Sequence, residues 1–88
     1  MTFIIHREAV GGDGVVLRVS GRITGENVNT LKALLEQESG PLTLDLNDVQ
    51  LVDGEAAKLL AAHESNGVKI SNCPRYIREW ITRERDAH

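Results

Sequence analysis

The chain has 88 residues, room for one small domain spanning 1-88, and a domain of that size buries roughly 60–65% of its unfolded surface, so its core must be simple. A hydrophobic fraction of 41%, a charged fraction of 26% and a formal net charge of -3 belong to an ordinary globular protein and argue against a dedicated nucleic-acid binder, which carries a basic excess. No run approaches the ~18 apolar residues that span a bilayer, and Arg7 and Glu8 interrupt the N-terminal apolar patch before it can form a signal-peptide core. Cys73 is the one cysteine, so an internal disulfide is excluded and the expected setting is cytoplasmic, without membrane insertion.

Phe3, Tyr76 and Trp80 are the aromatic residues, which leaves the core to aliphatic side chains. Thr2 to Val10 reads as a first strand, with Phe3 and Ile5 facing one way and Ile4 and His6 the other. Gly11-Gly12-Asp13-Gly14 is the densest turn signal and leads into Val15 to Ser20, where Val15, Leu17 and Val19 alternate with Val16, Arg18 and Ser20. The pair is expected to form an antiparallel hairpin. After Gly21-Arg22-Ile23, Thr24 is placed to cap a helix in which Val28, Leu31, Leu34 and Leu35 recur at helical spacing until Ser39-Gly40-Pro41 stops it.

Leu42, Leu44 and Leu46 alternate with Thr43 and Asp45, the mark of a strand buried on one face. A short link is expected from Asn47 to Leu51. Val52-Asp53-Gly54-Glu55 then opens a helix from Gly54 to about Ser65, with Ala56, Leu59, Leu60 and His63 on one face and Asn66-Gly67 ending it. Asp53 can cap that helix, and Glu55 can place a carboxylate among the free backbone N–H groups of its first turn. Val68 to Ser71 reads as a short last strand, and Pro74 starts a segment with Ile77, Trp80 and Ile81 as its apolar stripe. Arg85 to His88 are expected to fray.

The order β-β-α-β-α-β-α predicts an α/β fold with a small mixed sheet, a hairpin followed by helical crossovers that join parallel strands. Arg18, Thr43, Asp45 and Lys69 occupy the second face, which is therefore expected to be partly covered at most, by one helix or by a partner.

Taken together, these stretches resemble the STAS domain, the sulfate-transporter and anti-sigma-factor-antagonist module, in its small stand-alone form. Leu17-Arg18-Val19-Ser20-Gly21-Arg22-Ile23-Thr24, with Asn27 and the Leu31/Leu34/Leu35 helix, is similar to the family's second strand, glycine turn and first helix. Leu42 to Leu46, then Val49, Val52 and Asp53, is similar to its aliphatic strand leading to an Asp at the next helix start, and Asn66-Gly67-Val68-Lys69-Ile70 to the strand after that helix. The likeness runs from about Val15 to Trp80. It implies a non-catalytic regulatory domain of bacterial partner switching, whose protein partner is an anti-sigma factor, a kinase-like regulator or a subunit of a complex.

Antagonist members of that family carry serines just after the helix-start Asp, and a partner kinase phosphorylates one of them. Here Gly54 and Glu55 follow Asp53, with Ala56 where the family often has glycine, so Glu55 stands at the phospho-acceptor position and the hydroxyl is missing. A phosphoserine would bring ~-1.5 to -2 charges to the helix start, whereas Glu55 brings one permanent charge. The resemblance thus implies a module that is not switched there, or is held in one state. Thr43 and Ser71 are the hydroxyls expected nearest this loop.

The expected partner surface is the stretch from Asn47 to Glu55 with the start of the following helix. Gly54 would let a partner backbone approach, Leu51 and Val52 would give apolar contact, Asp48, Asp53 and Glu55 charge complementarity, and Lys58 a rim contact. Two alternatives keep the fold: an accessory subunit of a transport or lipid- or small-molecule-binding complex, and a small enzyme or metal-binding domain. Asp45, Asp48 and Asp53 form an acidic rim of the kind that holds Mg²⁺, but Gly-rich phosphate contacts are missing. Cys73 before Pro74 sits where a helix start acidifies thiols, yet its order and spacing with His63 match no Cys/His catalytic signature. His6, His63 and His88 fall on different elements without metal-ligand spacing, so no catalytic residue, metal or cofactor is expected.

On the last helix Arg75, Arg78 and Arg85 share a stripe with Thr82, which reads as a solvated face or a phosphate- or membrane-facing one, and Glu79 and Arg83 are spaced for an ion pair. Trp80 with Ile77 either seals the sheet or docks a second copy in a homodimer.

Overall fold

The computed structural model describes residues 3–11, 14–38 and 40–86. Along it run β1 (Phe3–Ala9), β2 (Val15–Ile23), α1 (Gly25–Gln37), β3 (Leu42–Val52), α2 (Gly54–Ser65), β4 (Lys69–Ser71) and α3 (Arg75–Asp86). The sheet is ordered β1-β2-β3-β4; its first pair is antiparallel and the other two are parallel, the mixed α/β arrangement that the element order implies. Thr2 of the expected first strand, Gly12 and Asp13 of the turn, Ser39 of the helix stop, and Ala87 and His88 lie outside the described residues.

The period-two pattern of the strands decides where the helices go. Val15, Leu17, Val19 and Ile23 of β2 and Leu42, Leu44 and Leu46 of β3 are buried, and they form one core with Leu31 and Leu35 of α1, Ala56, Ala57, Leu59, Leu60 and Ala61 of α2, and Ile77 and Ile81 of α3. Three of those α2 residues are alanines, whose small side chains let the helix lie close to the sheet. On the other face Ile4, His6, Glu8, Arg18 and Lys69 are exposed and Val16, Ser20, Thr43, Asp45 and Ser71 half-buried. Of the two covers expected for this second face, a helix or a partner, the helix is not found among the described residues, because every helix there carries its apolar stripe to the first face.

Both central strands are longer than their alternation suggests. The expected link from Asn47 to Leu51 is strand, and β2 continues through Gly21 to Ile23. The pairing of β2 with β3 shifts register between Arg18 and Ser20 and again between Gly21 and Arg22, and each shift leaves one extra residue on β3. Such bulges let residues three apart, Leu46, Val49 and Val52, all reach the core, so the period of two breaks in the sequence while the strand goes on. Gly21 sits between the two shifts with φ 95°, a conformation that glycine adopts without the Cβ penalty.

Side chains tie the periphery down. The Arg7 guanidinium donates to both carboxylate oxygens of Glu38, at 2.9 and 3.3 Å, joining β1 to the end of α1, and this hydrogen bond holds the Glu38 carboxyl below the usual range. At the other end Arg78 and Arg85 both donate to Glu64 Oε1, at 2.9 and 3.4 Å. Arg85 is thereby held in helix that runs through Asp86, where fraying is expected from the sequence. The expected pair of Glu79 with Arg83 is not among the ion pairs of the described residues.

Candidate functional site

β2 runs into α1 and its neighbour β3 runs into α2, so two helix N-termini meet at the carboxyl ends of the two central strands. In an α/β fold that is where ligands and partners gather. Asp53 joins them. Its backbone N–H donates to Ile23 O at 3.2 Å, its Oδ1 accepts from Ala56 N–H at 2.9 Å, and its Oδ2 accepts from Gly25 N–H at 2.7 Å. One carboxylate thus satisfies a free donor on each helix and sets a negative charge between two positive helix ends. The start of α1 is closed further by Asn27, whose Oδ1 accepts from Thr24 N–H at 3.1 Å and from the Thr24 hydroxyl at 3.2 Å.

Glu55 leans toward the same point. A Cβ at Gly25 would lie 3.0 Å from Glu55 Oε2 and 3.8 Å from Asp53 Oδ2, so the bare glycine makes room for both carboxylates. Gly54 is the reverse case: a Cβ there would meet nothing within 4 Å, which leaves the first turn of α2 open to an approaching surface.

Of the residues expected at a partner surface, Asp48, Leu51, Glu55 and Lys58 are exposed and Gly54 is half-buried. Val52 is corrected: at 4% exposure it belongs to the core, because the second bulge turns it inward. Asp53 is half-buried and its carboxylate is engaged by both helices, so it positions the edge and has little left to offer a partner. Asp48 pairs in register with Ser20 and Leu51 with Arg22 on the helix-free face, while Gly54, Glu55 and Lys58 lie on α2. Asp48 and Asn47 line two adjoining shallow polar depressions of about 380 and 520 Å³ there, the first with Arg18, Asp45 and Asn72.

Two residues named in the sequence for other reasons are not among its site candidates. Tyr76, 45% exposed on the first turn of α3, donates its hydroxyl to Gln50 O and so stands next to Leu51, itself 43% exposed. Its i,i+4 spacing with Trp80, 39% exposed, is the signal that could have found it. Thr24 is the other: it adjoins Gly25, which Asp53 binds, whereas Thr43 lies ten residues up β3 from Asp53, toward the opposite end of the strand.

The remaining candidates are occupied separately. Asp45 faces Arg18 at 3.8 Å and accepts from Asn47 N–H at 3.0 Å, and Asp48 accepts from Asn47 Nδ2 at 3.2 Å, so with Asp53 holding two helices these acids do not converge. Among the described residues no three of His, Cys, Asp and Glu are grouped to hold a metal ion. Burial pushes the Cys73 thiol up, against the acidification expected at a helix start, and its Sγ donates to Pro74 O at 3.5 Å. His63 Nδ1 donates to Leu59 O at 3.0 Å. Arg78 and Arg85 are taken up by Glu64, which breaks the expected basic stripe. Among the described residues no helix is long and apolar enough to cross a membrane.

No protein-family model and no curated protein matches the sequence. Solved structures do match. The anti-sigma factor antagonist SpoIIAA, in its unphosphorylated form, superposes with a TM-score of 0.65 over 90% of this chain and 82% of its own, at 14% identity. The fold is STAS-like. A crystal structure of Mglu matches with a TM-score of 0.62 and 25% identity over 80% of this chain, but only 20% of that one, so this likeness is to one part of a larger protein. At such identity to SpoIIAA the likeness carries the STAS-like fold and leaves the role to be argued from the site.

Proposed function

We propose that this STAS-like chain is a non-catalytic regulatory module that docks a protein partner through the strand end and helix start formed by Leu51, Gly54, Glu55 and Lys58, with Asp48 at the margin. The observation that carries the reading is the division of labour between two neighbouring acids. The Asp53 carboxylate is used up in clamping two helix ends, which makes the edge rigid, while Glu55 is exposed beside a glycine with open space before it. A rigid edge loses little entropy on docking, and an exposed apolar residue flanked by charge suits a protein surface. The likeness to an anti-sigma factor antagonist supports a partner of the regulatory kind, which we propose the chain meets in the cytoplasm. With Glu55 in the phospho-acceptor position of that family, the charge at the α2 start is permanent and the module works in a single state.

Affinity capture from native lysate with the wild-type chain and Glu55→Lys as baits tests this. Reversing the charge is expected to lower recovery of the specific partner at least about tenfold. The variant itself loses about 0.3–1 kcal/mol of helix-end electrostatics and stays folded. Equal recovery by both baits, with both folded, would remove the edge from the interface.

A further inference from the structure

We propose that the helix-free face of the sheet takes a second copy of this chain, across a two-fold axis that runs along the strands between β2 and β3. The strand register lays its side chains out in rows: one runs Glu8, Val16, Thr43, Lys69 from β1 to β4, and the next runs His6, Arg18, Asp45, Ser71. Acid and base stand at opposite ends of the first row. In the second they stand on opposite sides of the middle. Both rows are therefore antisymmetric in charge about the line between β2 and β3.

Half a turn about that line lays β4 of the second copy over β1 and β3 over β2, with each row kept at its own level. Glu8 then faces Lys69 of the second copy, Arg18 faces its Asp45, and Val16 faces its Thr43, each contact being made twice. An isologous interface requires this self-complementarity, and a face without it would set like charges against each other.

The contacts within one chain leave the same need. Arg18 is shared by two acids, Glu8 at 3.2 Å and Asp45 at 3.8 Å, while Lys69, exposed on the edge strand β4, has no ion-pair partner among the described residues. Bringing in Lys69 of a second copy gives the surplus acid its cation. Twisted sheets stack about 10 Å apart with strands roughly 30° off parallel, a gap that arginine and lysine side chains meeting shorter acids can fill.

Four strands about 4.8 Å apart make a face that buries on the order of 400–600 Å² per copy, below the ~800 Å² of a standard interface. The dimer is accordingly weak, reversible and weakened by salt. Its charge pairs are made by Glu8, Arg18, Asp45 and Lys69; of the docking edge, Asp48 and Leu51 lie further along the same face, while Gly54, Glu55 and Lys58 stand apart on α2.

Sedimentation equilibrium of the whole chain, from micromolar to millimolar concentration at low and high salt, is the test. The expected result is a concentration-dependent dimer that high salt dissociates. Glu8→Lys and Lys69→Glu should each raise the dissociation constant at least about tenfold, and the double variant should recover part of that loss by exchanging the signs, the remainder being the repulsion between the new lysine and Arg18 of the same chain. Circular dichroism checks that each variant is folded, and Glu8→Gln with Lys69→Gln gives the same comparison with a smaller shift should a reversal unfold the chain. A monomer at every concentration overturns the proposal. So does a dimer indifferent to both reversals, which would be joined elsewhere, such as along the β1 edge, or a folded double variant that fails to recover.

Discussion

Asp53→Ala should lower the stability of the protein by about 1.5–3 kcal/mol, the largest effect expected of any half-exposed position. The change removes the cap of α2, worth about 0.5–2 kcal/mol, and also leaves the Gly25 N–H without its acceptor, which adds about 1 kcal/mol at a partly buried site. For a chain of this length the thermal midpoint, followed by circular dichroism, should fall roughly 10–20 °C. Asp53→Asn should recover less than half of the loss, because its amide offers one acceptor oxygen to two donors and turns an NH₂ toward the other. A loss below about 0.5 kcal/mol for the alanine variant would mean that the two helix ends hold their places without the shared carboxylate.

Ile77→Ala is the second large effect. Ile77 is fully buried on α3 and packs into the same core as α2 and the sheet, so truncation removes its transfer energy and leaves a cavity, together about 2–4 kcal/mol. Ile77→Val should cost about 1 kcal/mol by the same reasoning. In urea the midpoint should fall with an unchanged slope, as expected when α3 unfolds together with the sheet. A helix that is merely appended would give a smaller loss and a shallower, uncoupled transition.

Much of this fold is legible from spacing. Leu42, Leu44 and Leu46 mark a strand, Leu31 and Leu35 a helix face, and Asp53 a helix start, and all do what their periods imply. The reading fails where a local irregularity changes the period. Asn47 to Leu51 reads as a link because two bulges on β3 stretch the apolar interval from two residues to three, and the partner strand that makes the bulges is remote in sequence. Val52 is misplaced on the surface for the same reason.

Trp80 illustrates a second limit. At about 100° per residue it stands some 60° to one side of Ile77 while Ile81 stands about 40° to the other, so the helix buries the two isoleucines and leaves the larger ring on its shoulder. Apolar character alone cannot tell the middle of a stripe from its margin. The clamp at Asp53 is half legible: the cap on Ala56 follows from chain order, but the bond to Gly25 spans 28 residues and depends on β2 and β3 being neighbours.

The docking edge is tested most directly by photocrosslinking in the native cell, with a photoreactive phenylalanine analogue placed at Leu51 or Lys58 and, as control, at Glu36 on the exposed side of α1. Docking through this edge predicts a covalent adduct to another protein from the first two positions and none from Glu36. No adduct from Leu51 or Lys58, or the same adduct from all three, would contradict it.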